Sequence, residues 1–426
     1  MIYNPTVVQT FALSITNFLG GNKDMNKKVK VLSSVLTALL LTTALAGCSS
    51  SKSATSTSTT KESKEIVIWS HLQQPEVDAL NVVAQVWAKK TGNTVKIKLD
   101  KSDFQAFLQA ANSSKGPDIM YGIAHDNLGT FQKAKLLDPV PTGVIDPAKY
   151  VDTSIKAVSY DGKMYAVPMS IETYALFYNT DKVKTPPTTV EDLITQAKKV
   201  GFQYDVNNFY FSYAFLAANG GYVFKDKGNG ALDPTDIGLG NEGSVKGLQT
   251  IQDLVVKYKF MTADIKGDKA SAAFKEGKTG FYISGPWDVD GFTKAGVKFA
   301  VAPLPGMPSF VGVQASFVNA KSKNKTEAWD LIKYLQENNS TVIKARATLP
   351  ALTSELDKAE FKDNKISAAF IAQVKNGQPM PNISEMQTVW APVANNLQLL
   401  TFKKITAAVA GKTMHDNVVQ GISTMK

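Results

Sequence analysis

Regular patterning of apolar and polar positions begins at Glu65. Glu65-Ile-Val-Ile-Trp69 reads as a short strand. Asn81–Lys90 follows with helical spacing, and Gly92 supplies a stop. Val95–Leu99 alternates as a second strand, Asp103–Asn112 returns to helical spacing, and Asp118–Tyr121 is an apolar extended run. This β-α-β-α-β order predicts a mostly parallel sheet with helices on both faces. Open sheets of that kind take ligands at the carboxyl ends of their strands. Two later extended runs, Tyr165–Tyr178 and Phe310–Asn319, each lie between helix-rich stretches. They are expected to be strands crossing between two lobes as a hinge. Spacing alone leaves ordinary core strands open as the alternative.

The region before Glu65 has a different character. Met25-Asn-Lys-Lys-Val-Lys30 is basic, Val31–Ala44 is apolar but short for a membrane span, and Leu45-Ala-Gly-Cys48 follows. Small residues ahead of a cysteine resemble a bacterial lipobox, so cleavage before Cys48 and lipidation of its thiol are expected; an uncleaved anchor is the alternative. Cys48 is the only cysteine, which leaves no disulfides and no cysteine chemistry. Residues 1–24 precede a Met-Asn-Lys-Lys start and read as an upstream extension. Ser49–Lys64 has no apolar periodicity and is expected to be a flexible tether reaching roughly 20–24 Å.

Length and charge narrow the picture further. The 426 residues exceed one ordinary core and imply two domains. At 44% hydrophobic and 20% charged the chain is globular. Its net charge of +10 falls to +7 without residues 1–47, which hold four Lys and one Asp. The lysines are scattered and Arg346 is the only arginine, which argues against a nucleic-acid partner.

Catalytic signatures are weak. His71, His125 and His415 have no metal-ligand spacing, and no metal or cofactor is expected. Gly238-Leu-Gly-Asn-Glu-Gly243 matches a dinucleotide-binding pattern but follows turn chemistry, so a helix N-terminal turn before Ser244–Lys259 is expected instead. Asp126 and Glu172 form a candidate carboxylate pair. Such a pair suits a glycosidase, or a sugar-binding cleft in which carboxylate oxygens accept hydroxyl protons. For Asp126 the spacing favours a plainer role, capping the helix through Leu128–Ala134. Glu172 interrupts an apolar strand, where an unpaired charge is costly. Aromatic residues cluster in Asn208–Tyr213, at Gly285-Pro-Trp287 and in Met380–Trp390. Their rings could stack on the apolar face of a pyranose or simply pack in a core.

Taken together, these segments resemble the maltose/maltodextrin-binding proteins of ABC importers over essentially all of Glu65–Lys426. The resemblance lies in IVIW, GPDIMY, AHD, YDGKMYAVPMSIETYALFYN, FYFSYAFLAANGGYVF, GFYISGPW and MPNISEMQTVW. It implies an α/β fold with two lobes, each a mostly parallel sheet flanked by helices, around a sugar cleft. The first lobe is expected at residues 65–171 plus 316–362 and the second at 172–315 plus 363–426. Asp126 and Glu172 then look like hydroxyl acceptors, Tyr210, Trp287 and Trp390 like stacking rings, and Phe211 and Tyr213 like further subsite walls. Gln74 joins them where the enteric pattern has an Asp-Lys pair and this chain has Gln73-Gln74. Ile123, Asn127, Gly267 and Ala394 are further departures from that pattern. They point to maltotriose or longer glucans.

The function so implied is non-catalytic: a monomer, lipid-anchored through Cys48 on the extracellular face of a Gram-positive membrane, delivering maltodextrin to ABC permease subunits. A glycoside hydrolase using Asp126 and Glu172, a binder of another oligosaccharide, and a structural lipoprotein are the alternatives.

Overall fold

The computed structural model describes residues 62–425, apart from Lys101, Asp103, Asp161 and Asn229. The expected signal segment, Cys48 and most of the tether lie outside those residues. Among the described residues no helix is long and apolar enough to cross a membrane.

The chain opens with β1 (Glu65–Ser70), the helix Gln74–Thr91 and β2 (Thr94–Leu99). The helix starts seven residues before the apolar spacing suggested. Pro75 suits a first turn, whose amides lack partners anyway. The Glu76 carboxylate reaches back to accept the Gln73 N–H, half of a capping box. Gly92 ends the helix as expected, at φ 75° with its N–H donating to Ala88 O. Leu80, Ala84, Trp87 and Ala88 form the buried stripe. A helix at Phe104–Ala111 leads to β3 (Ile119–Ala124). β1 pairs in parallel with both β2 and β3, so the opening β-α-β-α-β unit is as the pattern predicted.

A small ribbon follows, β4 (Ser159–Tyr160) with β5 (Lys163–Met164). The long apolar run then splits into β6 (Val167–Thr173) and β7 (Ala175–Asn179). Next come β8 (Phe202–Gln203), the hairpin β9 (Phe224–Gly228) and β10 (Ala231–Ile237), β11 (Phe281–Ser284) and β12 (Phe299–Ala302). The last strands are β13 (Phe310–Val318), β14 (Leu349–Pro350) and β15 (Gln378–Pro379). Seven strands form one sheet in the order β14-β6-β13-β3-β1-β2, with β15 also on β13. Four form another, β12-β7-β11-β8. The Gly238–Gly243 segment is a helix N-terminal turn, as expected; Asn241 caps the helix Glu242–Val256 by accepting the Ser244 N–H at 2.7 Å.

Both sheets are mixed, and the expectation of mostly parallel sheets is corrected. β13 is antiparallel to β3 and β6, β14 is antiparallel to β6, and β7 is antiparallel to β11 and β12. The cause lies in the crossover. β6 carries the chain out of the large sheet and β13 brings it back, so the two run in opposite directions side by side. The sheets change at Tyr174 and again between Ala302 and Phe310. There the Thr173 hydroxyl donates to Phe310 O at 2.9 Å and lies 2.7 Å from Ser309 Oγ. The Phe310 N–H donates to the Tyr174 hydroxyl at 3.2 Å.

β13 is flanked by a bulge on each side. Ala315 pairs with Ile123 and Ser316 with Tyr121, so Gly122 is the extra residue on β3. Gly122 has φ 72°, and a Cβ there would sit 2.4 Å from Leu72 Cγ. Both the conformation and the close approach require glycine. Met169 is the corresponding extra residue on β6.

Candidate functional site

The carboxyl end of β3 delivers His125 and Asp126 on a tight turn, His125–Asn127. His125 is fully buried. Its Nδ1 accepts the Val313 N–H at 3.0 Å, and its Nε2 lies 2.9 Å from Met380 O, to which it donates. Burial lowers its pKa to about 4, so it remains neutral. Asp126 points elsewhere. Its side chain makes no cap hydrogen bond to the following helix, Leu128–Lys133, whose N-cap is Asn127. The capping role that spacing favoured is therefore corrected, because the intervening turn shifts the helix start by one residue. The Asp126 carboxylate receives the Asn127 side-chain N–H at 3.3 Å, and burial pushes its pKa up to about 6.

Glu172 lies on β6 and is not unpaired. Arg346 Nε donates to Glu172 Oε1, and Arg346 Nη1 donates to Glu76 Oε1 at 3.1 Å. The cost of a carboxylate in an apolar strand is met by a guanidinium 174 residues away in sequence. Burial acts against the Arg346 charge, but Glu172 and Glu76 outweigh it and raise its pKa.

The aromatic side is built on two helices that follow the first crossover. Asn208 caps the helix Phe209–Ala217 by accepting the Tyr210 N–H at 3.1 Å. Tyr210 packs edge-on to Tyr174, centroids 4.9 Å apart, and Phe211 meets Tyr174 at 5.4 Å. Trp390 opens the helix Trp390–Thr401 and meets Phe209 and Phe310 at 6.0 and 6.4 Å. Such ring pairs contribute about 0.5–1.5 kcal/mol each beyond burial. The Tyr210 phenol has a strongly raised pKa, first from burial and then from the nearby carboxylates of Glu172 and Asp126. The carboxylates on β6 and on the turn after β3 therefore lie close enough to a ring of the Phe209–Ala217 helix to act on its phenol, and all three of these residues keep part of their surface exposed.

Three expected site residues stand apart. Tyr213 is 2% exposed, lies flat on Phe310 with centroids 3.6 Å apart, and donates its hydroxyl to Gln378 Oε1 at 2.8 Å. One helical turn beyond Tyr210, it is packing behind the wall rather than the wall itself. It also borders a separate cavity of about 460 Å³ lined by Lys156, Tyr222, Lys225 and Met380, where neither Asp126 nor Glu172 reaches. Trp287 is 44% exposed, and its indole folds over Gly285, where a Cβ would sit 2.2 Å from the ring. Gln74 is exposed and donates to Asp78 on its own helix at 2.7 Å. Sequence reasoning missed Glu76, Tyr174, Phe310 and the role of Arg346. Only Arg346 carried a signal, as the sole arginine.

Two sheets joined by paired crossover strands, with carboxylates and aromatic rings gathered beside the crossover, are the arrangement of a solute-binding protein. The sequence over residues 83–369 matches the family described as bacterial extracellular solute-binding protein, and this chain belongs to that family. Among its relatives, the galactooligosaccharide-binding protein of Bacillus subtilis is 29% identical over 402 residues, covering 89% of this chain and 94% of its own. The maltooligosaccharide ABC transporter solute-binding lipoprotein of Streptococcus pneumoniae is 31% identical over 420 residues, covering 92% and 96%. The solved structure of the maltose-maltodextrin binding protein of Alicyclobacillus acidocaldarius is 36% identical, with a TM-score of 0.75, covering 83% of this chain and all of that one. The protein is thus a solute-binding protein and not an enzyme, which sets aside the hydrolase alternative.

Proposed function

We propose that this protein captures maltodextrins of three or more glucose units outside the cell and delivers them to an ABC permease. The observation that carries this reading is that the Asp126 and Glu172 carboxylates lie close enough to Tyr210 to raise the pKa of its phenol. Carboxylate oxygens accept from sugar hydroxyls, while Tyr210, Phe211 and Trp390 offer apolar faces to the pyranose ring. We take the lobes to divide where the sheets change, at Tyr174 and between Ala302 and Phe310, which moves the expected 171/172 and 315/316 bounds by a few residues and keeps Glu172 with the seven-stranded sheet, and sugar favours their closure because it touches both. The protein acts as a monomer held by lipid on Cys48 at the face of a Gram-positive membrane.

A titration series from maltose to maltoheptaose, followed by tryptophan fluorescence and calorimetry, tests the reading. Affinity is expected to rise from maltose to maltotriose and to reach the micromolar range, which corresponds to about −8 kcal/mol. Because the Bacillus subtilis relative is named for galactooligosaccharides, β-linked galactotriose is titrated beside them. Binding of that sugar alone would replace the maltodextrin reading.

A further inference from the structure

We infer that Arg346 is a positioning residue of the sugar site: held between Glu76 and Glu172, it fixes one Glu172 oxygen so that the other is presented to ligand. This inference rests on the oligosaccharide reading above. Arg346 Nε is spent on Glu172 Oε1 and Nη1 on Glu76 Oε1. Glu76 has no oxygen left over, because its Oε2 accepts the Gln73 N–H. Glu172 Oε2 has no protein hydrogen-bond partner among the described residues, and the Glu172 carboxylate lies near the Tyr210 phenol. The ion triad is therefore closed at the Glu76 end and open at the ligand end.

The backbone is arranged to make this possible. Arg346 ends the helix Ser340–Arg346, which packs on the helix Gln74–Thr91 that carries Glu76. The next residue, Ala347, has φ 55°, a left-handed conformation that a side chain disfavours and glycine accepts freely. That turn leads straight into β14, where Leu349 pairs with Ile171, the neighbour of Glu172. Every other basic side chain of this length in the protein is a lysine. A lysine presents a point charge, whereas guanidinium N–H groups at fixed angles can hold two carboxylates on different elements at once. With a side chain 22% exposed, the pairing is shielded enough to be directional.

The test is a double-mutant cycle on maltotriose binding by calorimetry at pH 7.5, with the melting temperature of each variant recorded. R346Q is expected to weaken binding about tenfold or more alone, the loss of a hydrogen bond to a charged group. In an E172Q background the same change is expected to cost less than about twofold, because the group it orients is already neutral. R346K recovers part of the loss. Equal losses in both backgrounds, or unchanged binding with a lowered melting temperature, would overturn the assignment and leave Arg346 a structural clamp. Should R346Q not fold, the cycle is run with R346K, whose smaller loss must likewise vanish beside E172Q. The sugar reading is judged separately, by whether the unmutated protein binds maltotriose or galactotriose; the cycle uses whichever binds.

Discussion

The acidic and the aromatic sides of the site are held by different physics. Glu172 is fixed by direction, through a named N–H of Arg346, which is in turn fixed by Glu76. Tyr210 and Trp390 are fixed by area, through edge contacts with Tyr174, Phe209 and Phe310. A charge pair fails abruptly when one partner is lost, because the other stays buried and uncompensated. A ring cluster loses contact in proportion to what is removed. The acidic side should therefore set which hydroxyl pattern is accepted, and the aromatic side how tightly any glucan is held.

The sharpest way to break this contrast is Trp390→Ala. Calorimetry with maltotriose should show a loss of about 2–4 kcal/mol, as for an aromatic anchor. A loss below about 0.5 kcal/mol would place Trp390 in the core and not at the ligand. Next in size, Glu172→Gln should cost about 1.5–3 kcal/mol and should discriminate between sugars, with a larger penalty for maltotriose than for its deoxy analogues. Uniform losses across that series would contradict a directional role.

Asp126 sharpens the comparison through pH. Its folded pKa, raised by burial to about 6, exceeds the ordinary value of 3.8. The neutral form therefore stabilises the unliganded fold fully below pH 3.8, and this contribution is lost as pH rises to about 6. Asp126→Asn should be more stable than the unmutated protein at pH 7 by urea unfolding, and the advantage should disappear below pH 4. Sugar hydroxyls donate best to the ionised form, so affinity should fall as pH drops from 7.5 to 5, and the Asn variant should not show this fall. Trp287→Ala gives the smallest expected change, below about 1 kcal/mol in affinity, because an indole folded over Gly285 is only half engaged. A larger loss would mean that Trp287 leaves that position when sugar arrives.

What the sequence revealed follows the range of the interactions involved. The opening strand–helix–strand unit and the Gly92 stop were legible because each depends on neighbours a few residues away. The first turn at Pro75 and Glu76 was not, since its stabilising contact joins polar side chains that the apolar period does not register. Glu172 stood out as a charge in an apolar strand, but its partner lies 174 residues on. The crossover in Tyr165–Tyr178 was anticipated, and the mixed direction of the sheets was not, because pairing across a crossover leaves no local pattern. The ligand roles proposed for Asp126 and Tyr210 came from resemblance and not from spacing. The burial of Tyr213 depends on Phe310, 97 positions away, which no spacing rule could connect to it.

The bulge at Gly122 decides which of two adjacent side chains becomes chemistry and which becomes framework. By adding one residue to β3, it sets the phase in which the strand ends, so that imidazole enters the interior and carboxylate emerges. Deleting Gly122 would shift the chain back by one position, bringing Asp126 to the place of His125, against the Met380 carbonyl, and drawing His125 back to the place of Ala124. A single inserted glycine thus sets the frame in which the following turn is read.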